Sequence, residues 1–305
     1  MKRSSKSHLP YATLTDQGIV RDHNEDSLAI TAFDPASELV PESLLCVLCD
    51  GVGGHLGGET ASRLAVDQIT AEIEATDGSS PMIQLSNAIQ SASELVWNTA
   101  QASDDLRGMA TTTVCAWIFG RRLFIANVGD SRIYLIRKGR IHQISVDHTW
   151  LQEALEAGLI TREDFKGHPN AHVIKRYVGS ETAPDVDSRL MFGEHPEKNL
   201  QGMMLEAGDQ LFMCSDGVSD LVQESEIVTL LKNPNLDTAL EAMKLLVYQR
   251  GATDNLSMIA VNIPSGKTPA AGKTRALRLF FFALILLMAS FVGIYLGWMA
   301  LFNPR

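Results

Sequence analysis

The 305-residue chain is short of several things, and each shortage excludes something. It has four cysteines, too few for a disulfide framework, so a reducing compartment is expected. Its first ten residues are basic and polar and lack the apolar stretch of a secretory leader. Positive charge is in deficit: 26 Lys and Arg against 36 Asp and Glu leave a net charge of −10. That balance excludes a broad nucleic-acid footprint, which needs a basic face. It suits a protein that gathers carboxylates around cations. With 45% hydrophobic and 20% charged residues, the chain is neither disordered nor fibrous. The Gly-rich run at 51–59 lacks the Gly-Lys-Ser/Thr ending of a phosphate-binding loop, and no nucleophile elbow marks Ser-His-Asp chemistry.

Acidic residues also stop: none follows Asp254, and segment 279–302 carries no charge at all. As a helix rising about 1.5 Å per residue it would span roughly 35 Å, enough for a bilayer core of about 30 Å. Lys267, Lys273, Arg275 and Arg278 precede it and only Arg305 follows. The positive-inside rule then keeps the N-terminal part in the cytoplasm, with Tyr295 and Trp298 near the far interface. The expected organisation is a polar tail at 1–10, one compact domain at 11–263 and a basic Pro/Gly/Ala-rich linker at 264–278. A transmembrane helix at 279–302 and a short tail at 303–305 follow. The expected location is the inner membrane, single-pass, with the domain in the cytoplasm.

Within the domain, Leu44–Cys49 reads as a buried strand. Ala61, Leu64, Ala65, Ile69 and Ile73 repeat at helical spacing, and Leu85, Ala88, Ile89, Ala92, Leu95 and Val96 give a second helical face within Met82–Thr99. Thr111–Phe119, Leu123–Val128 and Ile133–Arg137 read as consecutive strands, with hairpin turns at Gly120-Arg121 and Gly129-Asp130. Leu211–Cys214 and Leu256–Ile263 are further strands, with helices at Glu224–Leu231 and Leu236–Tyr248 between them. Hairpin strands with helices outside predict a layered α+β domain.

Acids recur directly after these apolar runs, each beside a Gly or a turn: Asp50, Asp130 and Asp216, with Asp254 before a strand. A rigid sheet can aim such carboxylates at one point, and Gly lets backbone carbonyls and water approach it. Oxygen donors without a His/Cys cluster suit Mg²⁺ or Mn²⁺. Any one of these Asp residues alone could equally be a turn or helix cap. Arg21, beside Glu25 and Asp26, offers a planar fork for phosphate oxygens, or a surface ion pair. Cys46 and Cys49 form a CxxC inside an apolar strand with no partner pair, which reads as structural. His142, His148, His168 and His172 are scattered and read mostly as surface groups, and Trp150–Ser180 is polar with no catalytic motif.

The segments GIVRDHNEDS, CDGVGGHLGGE, MATTTV, NVGDSRIY, CSDGVSD and TDNLS occur in this order between Gly18 and Ser257. Together they resemble the metal-dependent serine/threonine phosphatases of the PP2C (PPM) family, bacterial branch. The resemblance covers the whole domain before the linker. It implies an α-β-β-α sandwich of two antiparallel sheets flanked by helices. It implies that Asp50 bridges two ions, that the Gly51 carbonyl binds the second, and that Asp216 and Asp254 hold the first. It implies water-mediated metal contacts for Glu25 and Asp26, phosphate binding for Arg21, and a third ion on Asp130 and Asp216, with Asp220 a weaker candidate. The cofactors would be Mn²⁺ or Mg²⁺, two ions, with a third in many bacterial members. Position 52, where animal members carry a general-acid His, is Val52 here; His55 lies three residues on, and the general acid stays unassigned. The Trp150–Ser180 stretch corresponds to the family's variable flap. The expected activity is hydrolysis of phosphoserine and phosphothreonine on proteins, opposing a serine/threonine kinase at the membrane. Two alternatives are a catalytically silent phosphoprotein-binding module and a phosphatase tuned to one regulator, such as an anti-anti-sigma factor.

Overall fold

A strand sends successive side chains to opposite faces, so a run apolar at every position is stable only when both faces are covered. The run ending at Cys49 is such a strand, and both faces are covered. Leu45, Val47 and Cys49 pack with one apolar cluster, and Leu44, Cys46 and Leu48 with another. The computed structural model of the protein describes residues 1–52, 56–165, 167–193 and 200–264.

The strands are β1 (Tyr11–Asp16), β2 (Asp26–Phe33), β3 (Ser43–Val52), β4 (Ala110–Thr111), β5 (Thr113–Phe119), β6 (Arg122–Val128), β7 (Arg132–Arg137), β8 (Arg140–Gln143), β9 (Met203–Met204), β10 (Gln210–Cys214) and β11 (Leu256–Asn262). The helices are α1 (Leu56–Ala75), α2 (Pro81–Ala102), α3 (Trp150–Glu156), α4 (Asp216–Ser219), α5 (Glu224–Leu230) and α6 (Leu236–Gln249). One sheet has the order β2-β3-β5-β6-β9, with β4 on the end of β3; the other runs β1-β11-β10-β7-β8. Every pairing is antiparallel.

Three apolar layers hold this together. Ala61, Ile69 and Ile73 of α1 and Leu85, Ile89 and Val96 of α2 cover the first sheet, over Trp117. Leu48, Ile118, Ile125, Ile133, Met213 and Ile259 fill the space between the sheets. Leu240, Met243 and Val247 of α6 cover the second sheet, over Tyr134 and Phe212. The α-β-β-α sandwich is therefore observed. Helix starts carry the expected chemistry: Pro81 opens α2, and the Asn235 side chain accepts from the Thr238 N–H at the start of α6.

Several expectations need correction. The Gly129-Asp130 turn does not close a hairpin, because β6 and β7 lie in different sheets and the chain crosses the sandwich there. The strand read at Thr111–Phe119 breaks at Thr112, and its first piece pairs with Gly51 and Val52. The strand read as Leu44–Cys49 continues through the Asp-Gly pair to Val52. Strands β1, β2, β8 and β9 carry no signal in the sequence reading and are found only in the structure. Among the described residues of Trp150–Ser180 lie α3 and one 3₁₀ turn at Arg162–Phe165. Among the described residues no helix is long and apolar enough to cross a membrane. The expected span at 279–302, its tail and the linker beyond Pro264 lie outside those residues.

Candidate active site and metal centre

The inter-sheet layer is apolar along most of its length and changes character at one end. Alternation carries the inward face of β3 from Leu44, Cys46 and Leu48 to Asp50, and that of β2 from Ile30 and Leu28 back to Asp26. Asp26 and Asp50 are direct partners across the β2–β3 ladder. On the facing sheet the same alternation leads from Leu211 and Met213 to Ser215, and from Ile259 back to Ser257. The hydroxyls then join up with the acids. Ser215 Oγ donates to Asp26 Oδ2 at 2.8 Å and accepts from the Ser257 N–H at 3.0 Å. Thr112 Oγ1 and Ser131 Oγ lie 2.8 Å apart, and Thr112 Oγ1 also accepts from the Asp50 N–H at 3.1 Å.

Crowding acids out of water raises their affinity for protons. Burial pushes the Asp26 carboxyl up to about 7; Ser215 and Ser257 oppose this, while Asp216 and Asp254 add to it. Burial takes Asp130 to about 8, with Asp216 and then Asp147 reinforcing it. Asp50 is pushed well above the usual carboxylate range by burial and then by Asp26, Asp216 and Asp130. Asp216 is raised by burial and then by Asp220 and Asp254. The Asp50 and Asp216 carboxyls act directly on each other's proton affinity. The structure thus brings Asp26, Asp50, Asp130, Asp216 and Asp254 together from five separate segments of the chain.

Close backbone approach explains the glycines beside them. A Cβ on Gly51 would lie 2.2 Å from the Gly58 carbonyl oxygen and 2.6 Å from that of Glu25. A Cβ on Gly217 would lie 2.0 Å from the Asn255 carbonyl oxygen. Glu25 is buried against Gly58, whose absent Cβ leaves room for its carboxylate. Arg21 stands at the rim, half exposed, with Nη2 2.7 Å from Asp254 Oδ2.

These residues open into a cavity of about 1130 Å³ lined by Arg21, Glu25, Asp50, Gly51, Val52, Asp216, Asp220 and Asp254 on one side. Leu151, Arg162, Phe165, His172 and Ile174, from the segment with no motif, line the other. Arg132 also reaches the wall, but Asp147 takes it in a forked ion pair at 2.7 and 2.9 Å. His55 lies outside the described residues.

Two histidines read as surface groups have roles in this geometry. His172 is exposed, yet its ring lies with Asp216 and Asp220 such that one ligand atom from each falls within 4.8 Å of the others. His148 is buried: its Nδ1 accepts from the Gly129 N–H at 3.1 Å, beside Asp130, and its Nε2 lies 3.3 Å from Asp187 Oδ2. The polar 150–180 stretch gave no periodicity from which His172 could be read, and the burial of His148 depends on the crossing between sheets. Ser215 and Ser257 were legible in principle from strand alternation. Cys46 and Cys49 point to opposite faces of β3, which excludes a dithiol or zinc pair.

The donors present fit a hard divalent cation. They are carboxylate and carbonyl oxygens, and among the described residues Asp26 Oδ1 is buried with no hydrogen-bond partner. Among the described residues few cations stand at this cavity: Arg21 pairs with Asp254, Arg132 belongs to Asp147, and Arg162 lines it from the 150–180 segment.

Comparison with known proteins points the same way. A family model described as Protein phosphatase 2C matches residues 21–244. Serine/threonine protein phosphatase PstP of Mycobacterium tuberculosis is 31% identical over 255 residues, which is 84% of this chain and 45% of that one. The chain thus spans less than half the length of that relative. Serine/threonine phosphatase stp of Listeria welshimeri is 30% identical over 252 residues, 81% of this chain and 93% of that one. A crystal structure of the Mycobacterium tuberculosis phosphatase PstP/Ppp superposes with a TM-score of 0.71 at 30% identity, over 84% of this chain and 99% of that one. Another, of the PstP catalytic domain in complex with two manganese ions, gives 0.68 at 30% identity, with the same coverage of 84% and 99%.

Proposed function

We propose a hydrolytic function on one premise: the chain belongs to the protein phosphatase 2C family. It removes phosphate from phosphoserine and phosphothreonine on proteins with the help of Mn²⁺ or Mg²⁺, two ions and a third as in many bacterial members. The observation that carries this reading is the convergence of five aspartates on one mouth of the sandwich, with Arg21 at its rim. A silent binding module would show degenerate acids, and here every acid that the family motifs require is present and converged.

When bound, the ions supply neutralisation of the phosphate dianion and an attacking water of lowered pKa. Asp50, Asp216, Asp254 and the Gly51 carbonyl would hold a pair of ions, and Asp130 with Asp216 would hold a third. Glu25 and Asp26 would hold metal-bound water from the start of β2. Arg21 grips the non-bridging phosphate oxygens with its planar fork. Val52 has no proton to give, so no protein acid is assigned at that position.

The test is phosphate release from a phosphothreonine peptide. Release that depends on Mn²⁺ and disappears on chelation supports the reading; release undiminished by chelation, or by Asp50→Ala, overturns it. We further propose that 11–263 is the phosphatase domain and 264–278 a basic linker. Segment 279–302 then anchors it to the inner membrane, facing the cytoplasm, where it opposes a serine/threonine kinase. The full chain should sediment with membranes through a salt wash and be released by detergent. A full chain that stays in the supernatant contradicts the anchor.

A further inference from the structure

The loop that carries Arg21 has no regular structure to hold it. From Gln17 to Glu25 the chain makes only turns and bends, Ile19, Val20 and Arg21 are exposed, and Gly18 takes φ 78°. One buried side chain from elsewhere ties this loop down. Asn255 Nδ2 donates to the Gln17 carbonyl at 2.9 Å and to the His23 carbonyl at 2.8 Å. Its Oδ1 accepts from the Glu25 N–H at 2.8 Å. Carbonyls only accept and an N–H only donates, so the partners fix which way the amide faces. Residues 17 and 23 flank Arg21, and Gln17 Nε2 donates to the Arg21 carbonyl at 2.7 Å, drawing the loop together from inside.

The same residue belongs to the rim that receives Arg21. Asn255 directly follows Asp254, the partner of the Arg21 guanidinium at 2.7 Å, and Gly217 packs on its carbonyl. One buried amide therefore closes the Arg21 loop at both ends and, with the Ile19 N–H on the Ala252 carbonyl at 3.2 Å, registers it against the start of β11. We propose that Asn255 is the positioning residue for Arg21, acting on the reaction through the phosphate grip and not through the metal ions. The inference rests on the phosphatase reading. An arginine fork helps only when it is held in place, and a misplacement of about 1 Å can cost on the order of a hundredfold in rate.

The experiment is a double-mutant cycle on the full chain with Mn²⁺ and a phosphothreonine peptide. It uses Asn255→Ala, the isosteric Asn255→Asp in case the alanine variant does not fold, and Arg21→Ala. Either Asn255 variant should raise KM, and the inhibition constant of inorganic phosphate, by about tenfold. The number of Mn²⁺ ions bound, read by calorimetry, should not change. In the Arg21→Ala background the same change should cost no more than about twofold, because the group it positions is gone. Losses that multiply in the double variant overturn the inference. So does loss of bound Mn²⁺ with phosphate inhibition unchanged, which would make Asn255 a support for the metal ligands. An inactive wild-type protein overturns the phosphatase reading itself, and that result is seen before any variant is made.

Discussion

Asp187 and Asp130 are both buried aspartates of one sandwich, and the ring of His148 lies between their surroundings. Burial acts against both carboxylates. At Asp187 it is outweighed by donation from His148 and Arg189, which holds the carboxyl well below its usual range. At Asp130 nothing outweighs it, Asp216 adds repulsion, and the carboxyl rises to about 8. Asp209 matches Asp187 in kind, buried in a forked ion pair with Arg137 at 3.0 and 3.1 Å to Nε. Asp26 matches Asp130, buried with one oxygen unpartnered and a carboxyl near 7. The acids of the first group come with their cations and hold the framework. Among the described residues those of the second form no ion pair, and the protein keeps a costly arrangement that divalent ions would relieve.

The widest way to break this comparison is to remove an acid from each group. Asp50→Ala or Asp216→Ala should lower kcat by at least about a thousandfold, roughly 4 kcal/mol of barrier, while the metal-free melting temperature holds or rises. Full activity, or unfolding without metal, would place these residues with the framework acids. Asp209→Ala should do the reverse. It leaves Arg137 half-partnered and should cost about 3 kcal/mol in denaturant unfolding, with kcat per folded molecule unchanged. A fall in kcat without loss of stability would blur the two groups. Arg21→Ala, at the rim, should raise KM for a phosphopeptide about ten- to a hundredfold and leave stability within about 0.5 kcal/mol.

The last prediction concerns pH dependence. Asp26 and Asp130 have folded values of about 7 and about 8, against 3.8 for an ordinary Asp. Above about pH 4 the unfolded chain gives up these protons while the folded protein keeps them, so stability falls as pH rises towards about 8. The metal-free protein should lose several degrees of melting temperature between about pH 5 and pH 8, and Mn²⁺ should flatten the curve. Asp187 works the other way: the stability it adds is present above about pH 4 and lost below it. A metal-free melting temperature that climbs from pH 5 to pH 8 would contradict the assignment of Asp26 and Asp130.

Much of the site was legible because its signals are local. An apolar alternation that ends in Asp-Gly marks where a strand leaves the core, and Asp50 and Asp216 follow directly from it. The layered fold was legible from the helical faces of α1 and α2 and from the β5–β6 hairpin. What was not legible depends on distant partners. A Gly-Asp turn has the same chemistry whether the chain folds back in one sheet or crosses to the other, so the step from β6 to β7 was misread. His148 is buried only because of that crossing. His172 meets Asp220 only because the polar 150–180 segment lies over the mouth, and no pattern in that segment says so. Asn255 stood next to Asp254 in the sequence, but the carbonyls it clamps lie more than two hundred residues earlier.

Calorimetric titration of the metal-free protein with Mn²⁺ near neutral pH, in buffers of different ionisation enthalpy, tests the central claim most directly. At least two ions should bind per chain with release of protons, and Asp50→Ala should abolish tight binding. Binding of no ion, or binding that Asp50→Ala and Asp216→Ala leave untouched, would contradict it.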